Sequence, residues 1–144
     1  MKLLFDASAL LNIIRLHEHD AYEILQGNLT LSLTKYEVGN ALWKETMLLK
    51  RISIEEALEA ISLLDKILKI MSVADPLSGD TAFKLAYNLQ ITYYDASYIL
   101  AAAEKNAKLV TDDAKLTRKI QENTSIITEI LGKKLEISSS NKLC

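Results

Sequence analysis

The sequence predicts an α/β fold, a three-layer α/β/α sandwich around a parallel sheet of four to five strands. Three observations support this. Short apolar runs alternate with amphipathic helical patterns along nearly the whole chain. Strands separated by helices must pair in parallel, because each crossover carries the chain back to the same end of the sheet. The 144 residues are 49% hydrophobic and 25% charged, enough to enclose one ordinary core.

KLLFD (2–6) reads as a buried strand. Leu10, Leu11, Ile14 and Leu16 then mark one face of a helix that starts at Ala7. Ala21, Ile24 and Leu25 suggest a second, short helix that stops at Gly27-Asn28. LTLSL (29–33) is a second strand, followed by helices over 34–50 and 54–68. A third strand lies within ILKIMSV (67–73). Asp75-Pro76 breaks the chain, and Ser78 can cap a helix running to about Leu89. Another helix begins at Thr92 or Asp95. KLVTD (108–112) is a fourth strand, Ala114 to Glu122 a helix, and SIITE (125–129) a fifth strand. Residues 1–131 form the folded domain. The polar segment 132–144 is expected as a flexible or partner-ordered tail.

Composition narrows the function classes. The formal net charge of −2 gives no global sign of nucleic-acid binding but permits a local basic groove. Cys144 is the only cysteine, so no internal disulfide can form, and Cys-based zinc sites and internal Cys–His catalysis are disfavoured. Asp6 and Asn12 break the apolar start as a signal peptide, and no stretch is long enough for a membrane span. A cytoplasmic protein with no membrane association is expected.

Asp6 interrupts the most hydrophobic stretch at this terminus. It sits where the first strand meets the first helix, on the edge where such folds bind ligands. Glu37, Asp95, Asp112 and Asp113 fall at comparable places. Each also has an ordinary explanation. Asp6, Asp95 and Asp113 can cap helices, and Thr34-x-x-Glu37 matches a capping box. As a set, several carboxylates at one edge repel unless something positive lies between them. Hard ions such as Mg²⁺ or Mn²⁺ suit oxygen donors, and four carboxylates match the charge of two such ions. Without histidine or cysteine beside them, zinc is disfavoured. His17-Glu18-His19-Asp20 resembles a metal cluster but lacks further partners and reads as a polar turn.

The ordered blocks FDASALL, T-x-x-E-x-x-N-A-L-W (Thr34 to Trp43), YYDASYILAAAE (93–104) and LVTDDAKL (109–116) resemble the PIN-domain family. More narrowly, they resemble the toxin ribonucleases of VapBC toxin–antitoxin systems. The resemblance spans about residues 2–130 and implies a PIN-like, Rossmann-like sheet. It implies that Asp6, Glu37, Asp95 and Asp113 are the catalytic, metal-binding acids, with Asp112 ranked behind Asp113. Ser8, Asn40 and Thr111 become supporting residues. It further implies Mg²⁺- or Mn²⁺-dependent cleavage of RNA, a cognate VapB-like antitoxin, and a homodimer or higher assembly.

Arg15, Lys35, Lys44, Lys50, Arg51, Lys115, Arg118 and Lys119 are available for phosphates, though a solvated helix face explains any one of them. Tyr93, Tyr94 and Trp43 could stack on bases but read better as core or interface aromatics. Met47 and Met71 read as core fillers, and Ala101-Ala102-Ala103 as close helix packing. Other readings are a PIN nuclease of RNA processing without an antitoxin, another α/β activity such as phosphotransfer, and a non-catalytic binding module. A receiver domain needs an acidic pair after strand one, and a D-x-D phosphatase needs an acid at Ser8. Neither is present.

Overall fold

A computed structural model describes residues 1–143. Cys144, the last residue of the expected tail, lies outside the described residues. The chain runs β1 (Leu3–Phe5), α1 (Ala7–Leu16), α2 (Ala21–Leu25), β2 (Leu29–Thr30) and α3 (Thr34–Trp43), which continues into a π-helical turn (Lys44–Leu48). Next come α4 (Ile54–Leu68), β3 (Ser72–Val73), α5 (Gly79–Leu89), α6 (Tyr93–Glu104) and β4 (Lys108–Val110). The chain ends with α7 (Ala114–Glu122), α8 (Thr124–Leu131), β5 (Ile137–Ser138) and a 3-10 turn (Ser140–Lys142).

All five strands are parallel, in the order β3-β2-β1-β4-β5. β1 lies in the middle, with Leu4 opposite Leu29 on one side and Leu109 on the other. Strand alternation sends neighbouring side chains to opposite faces. Phe5 and Val110 face a core built with α1 to α4, and Leu4 and Leu109 face one built with α5, α6, α7 and α8. This is the expected three-layer sandwich. Strands covered on both faces must be apolar throughout, which explains why LLF and KLV carry no clean alternation.

The local boundaries have local causes. Ser53 caps α4 through a full capping box with Glu56, and Ser78 caps α5. Gly27 takes φ +75 just after α2, where a side chain would be strained. Ala101, Ala102 and Ala103 are buried on α6, as expected for close packing.

Four expectations need correction. SIITE is not a strand but most of α8. Ile127, Ile130 and Leu131 share a face at helical spacing and pack into the second core. The β-branched run suggests a strand, but the 3.6-residue period decides the outcome. The fifth strand instead lies in the segment expected as a tail, where Ile137 and Ser138 pair with β4. Met71 is buried as expected, but Met47 is 57% exposed on the π-helical turn. Trp43, Tyr93 and Tyr94 are likewise exposed and are not core aromatics.

Because Leu109 N–H donates to Glu136 and Thr111 N–H to Ser138, both amides depend on β5. Hydrogen exchange should show both strongly protected. Exchange as fast as in a free peptide would mean that β5 is not part of the folded sheet.

Candidate active site

The strand order places a topological switch between β1 and β4. From β1 the chain builds outward through β2 and β3, then returns to lay β4 on the other side. Ligands in open parallel sheets bind beyond the carboxyl ends of the strands at such a point. Asp6 directly follows β1, and Thr111, Asp112 and Asp113 follow β4. α3 and α6 run back toward the opposite edge, so their first turns, with Glu37 and Asp95, begin at this same edge.

Asp6 is only 5% exposed, and its carboxylate is held from three places in the chain. Oδ1 accepts from Ala9 N–H at 3.0 Å, which makes Asp6 the N-cap of α1, and from Ser8 Oγ at 2.7 Å. Oδ2 accepts from the Thr111 hydroxyl. Thr111 Oγ1 in turn accepts from Asp113 N–H at 3.2 Å. All these donors are neutral. Burial pushes the Asp6 carboxyl up to about 6, against an ordinary 3.8. The hydrogen bonds oppose that shift, and the nearby Asp95 charge adds to it.

Glu37 does not form the expected capping box. α3 starts without a side-chain cap, and Thr34 is turned inward to Thr30 and Tyr98. Glu37 Oε1 instead accepts from the Tyr98 hydroxyl at 2.7 Å. Burial raises the Glu37 carboxyl, with a further push from Asp6. Burial also raises the Tyr98 phenol, which therefore stays a donor. Tyr98 was missed in the sequence, although it lies one turn beyond Asp95 on α6, as Glu37 lies one turn beyond Thr34.

Asp95 is not the cap of α6. Thr92 is, accepting from Asp95 N–H at 3.0 Å. Burial lifts the Asp95 carboxyl to about 6, and the charges of Asp113 and Glu37 lift it further. Asp113 does cap α7, accepting from Leu116 N–H at 3.0 Å. Asp6, Glu37, Asp95 and Asp113 are thus linked by mutual repulsion, although they come from four separate segments. Among the described residues no three acids, histidines or cysteines stand close enough to hold a metal ion as arranged.

The supporting residues divide. Ser8 and Thr111 bind Asp6 directly. Asn40 is exposed one turn beyond Glu37. Asp112 faces away from the acids and accepts from Asn12 Nδ2 at 2.8 Å and from Ser140. Burial raises its carboxyl, but the bonds from Ser140 and Asn12 outweigh that and hold it below the usual range. A pocket of about 100 Å³ opens beside the acids, lined by Gln90, Thr92, Asp95, Asp113, Lys115 and Lys119 among others. Lys115 partly offsets the rise of Asp95. Of the other basic residues, Arg15 is paired with Glu45, and Lys35 lies over the Tyr36 ring. His17 to Asp20 form a turn that is largely exposed.

The chain matches the PIN domain model over residues 3–121. It is 36% identical over 126 residues to Ribonuclease VapC3 of Pyrobaculum aerophilum, covering 83% of this chain and 95% of that protein. Exonuclease VapC9 of the same organism is 37% identical over 89 residues, 62% of this chain and 64% of that protein. Among solved structures, PAE2754 from Pyrobaculum aerophilum superposes with a TM-score of 0.74 at 30% identity, covering 99% of this chain and 86% of that one. VapBC2 from Rickettsia felis, bound to a DNA fragment from its promoter, superposes at 0.61 with 17% identity, covering 96% and 98%. That last likeness is one of fold. The acidic edge and the family match lead to one conclusion: this chain belongs to the PIN-domain family.

Proposed function

We propose that this protein is a metal-dependent ribonuclease, the toxin of a toxin–antitoxin pair. One observation carries the reading. Asp6, Glu37, Asp95 and Asp113, from four separate segments, lie along the switch-point edge of a PIN fold, where burial and neighbouring negative charge raise the carboxyls of Asp6, Glu37 and Asp95 and only Lys115 partly offsets this, at Asp95. The ribonuclease name of the 36% identical relative supports the choice of substrate.

Asp6, Glu37, Asp95 and Asp113 would hold Mg²⁺ or Mn²⁺. The donor set is carboxylate oxygen throughout, which suits a hard ion. Mg²⁺ keeps several waters and takes few carboxylates directly, so the open spacing of these acids is compatible with it. Such an ion supplies charge stabilisation at the phosphate and makes water a better nucleophile.

The remaining chemistry belongs to the chain. Ser8, Ala9 and Thr111 fix the Asp6 carboxylate, Tyr98 orients Glu37, and Asp95 and Asp113 flank the pocket. Lys115 and Lys119 line the same pocket and would take RNA phosphates, offsetting the repulsion between an anionic substrate and an acidic site. A VapB-like antitoxin, a homodimer using the exposed Phe83 and Tyr87 face of α5, and a cytoplasmic location complete the reading. No described helix is long and apolar enough to cross a membrane.

Purified protein should cleave labelled single-stranded RNA with Mg²⁺ or Mn²⁺ and lose activity in chelator. Asp95→Asn should lower kcat by at least about 100-fold while keeping the circular dichroism of the parent. Cleavage by Asp95→Asn at the parent rate would remove the proposed site.

Lys119→Gln should raise KM for RNA several-fold with little change in kcat. It should also reduce the slope of log affinity against log salt by about 0.7, the share of one single-strand phosphate. An unchanged slope in filter binding would take Lys119 out of the RNA path.

Metal-free stability should depend on pH. Asp6 and Asp95 titrate near 6 in the fold, so the folded chain holds their protons more tightly than the unfolded one. That contribution is complete below about pH 4 and is lost as pH rises through 6. Asp95 is part-exposed and screened and adds less than Asp6, so about 2 kcal/mol in all is lost between pH 5 and pH 8. Calorimetry in chelator should show Tm falling by roughly 5 °C between pH 5 and pH 8, with Mn²⁺ recovering it at pH 8. A metal-free Tm that rises over this interval would contradict the assigned electrostatics.

A further inference from the structure

The segment beyond α8 reaches the acidic edge from behind. Ser140 is buried, and its N–H donates to Asp112 Oδ1 at 2.8 Å while its hydroxyl donates to Oδ2. Asn12 Nδ2, on α1, donates to the same Oδ2 at 2.8 Å. Asp112 is thereby tied at once to α1 and to the C-terminal turn. Its own N–H donates to Ser8 Oγ at 2.9 Å, and Ser8 Oγ donates to Asp6 Oδ1 at 2.7 Å. Thr111, the preceding residue, is held to β5 through Ser138 and donates to Asp6 Oδ2. Each oxygen of the Asp6 carboxylate therefore ends a chain of bonds that starts in residues 138–140.

We propose that Asp112 is a positioning residue and that the C-terminal turn at Ser140 is part of the nuclease apparatus. Gripped by Ser140 and Asn12, Asp112 sets the β4–α7 loop so that Ser8 and Thr111 both point their hydroxyls at Asp6. The proposal deepens the ribonuclease reading and rests on it for its catalytic consequence. Asp112 itself touches neither RNA nor ion. Hydroxyls rotate freely unless their other bonds are satisfied, so the Asp112 N–H to Ser8 and the Asp113 N–H to Thr111 choose the direction each donor takes. Supporting bonds of this kind typically change metal affinity or activity 10- to about 100-fold when broken.

The test uses full-length Asp112→Asn, Ser140→Ala and the exchange variant Asp112→Asn/Asn12→Asp. The last swaps donor and acceptor and restores the bond between α1 and the loop. Three quantities are measured: Mn²⁺ affinity by calorimetry, kcat and KM on labelled RNA, and Tm. Asp112→Asn and Ser140→Ala should bind Mn²⁺ at least fivefold more weakly. They should cut with kcat lowered about tenfold and KM within twofold, at temperatures well below Tm. The exchange variant should recover most of both losses.

Parent-like Mn²⁺ affinity and kcat in both single variants would overturn the proposal, whatever happens to Tm, because a purely structural bond would change only Tm. If the parent protein binds Mn²⁺ but cuts no RNA, the ribonuclease reading fails, and the Mn²⁺ affinities still decide the role of Asp112.

Discussion

The structure depends on one buried carboxylate. Asp6 follows the central strand directly and lies almost out of water, where an ionised group is costly unless its oxygens are satisfied. They are satisfied, but only by a backbone N–H and two hydroxyls. Neutral donors meet the hydrogen-bonding demand and leave the charge in place. An arginine at this point would have pulled the Asp6 pKa down and filled the site with its own cation. Among the described residues the one ion pair, Arg15 with Glu45, is on the surface. The Asp6 carboxylate is therefore fully hydrogen-bonded yet paired with no cationic side chain among the described residues, which is the condition the proposed ion site needs.

That condition explains how the sequence could be read. Asp6, Glu37, Asp95 and Asp113 were visible because each sits at a strand end or a helix start, and the parallel α/β pattern sends all such positions to one edge. The family resemblance ordered them. What stayed hidden depends on contacts across the fold. Local rules assign Thr34 and Glu37 to a capping box, which would serve an exposed helix start well. Here Thr34 itself is buried, and Thr34 and Glu37 turn to Tyr98 from another helix instead. No spacing within the TKYE segment reveals a partner 61 residues away.

The misplaced fifth strand has a related cause. SIITE and LEIS both fit a strand locally, and the choice between them depends on which one reaches β4. Helical spacing of Ile127, Ile130 and Leu131 commits the first to the core beside α5, and only then does residue 137 arrive beside Leu109. Strands of two or three residues carry little information of their own, and the helices that pack on them settle their register.

The TDD sequence after β4 shows how backbone geometry separates like residues. In extended chain, successive side chains point to opposite sides. Thr111 and Asp113 share one side, where Thr111 reaches Asp6 and the charge of Asp113 raises Asp95. Asp112 is carried to the other side, toward Asn12 and Ser140. Two adjacent aspartates with equal chemistry thus face different environments. One keeps company with like charges and caps α7. The other is surrounded by donors and stays ionised more easily than a free aspartate. A second acid on the ligand side of this loop would have raised the repulsion there without adding a support. The alternation instead turns Asp112 toward the C-terminal turn, which joins the last strand to the central carboxylate.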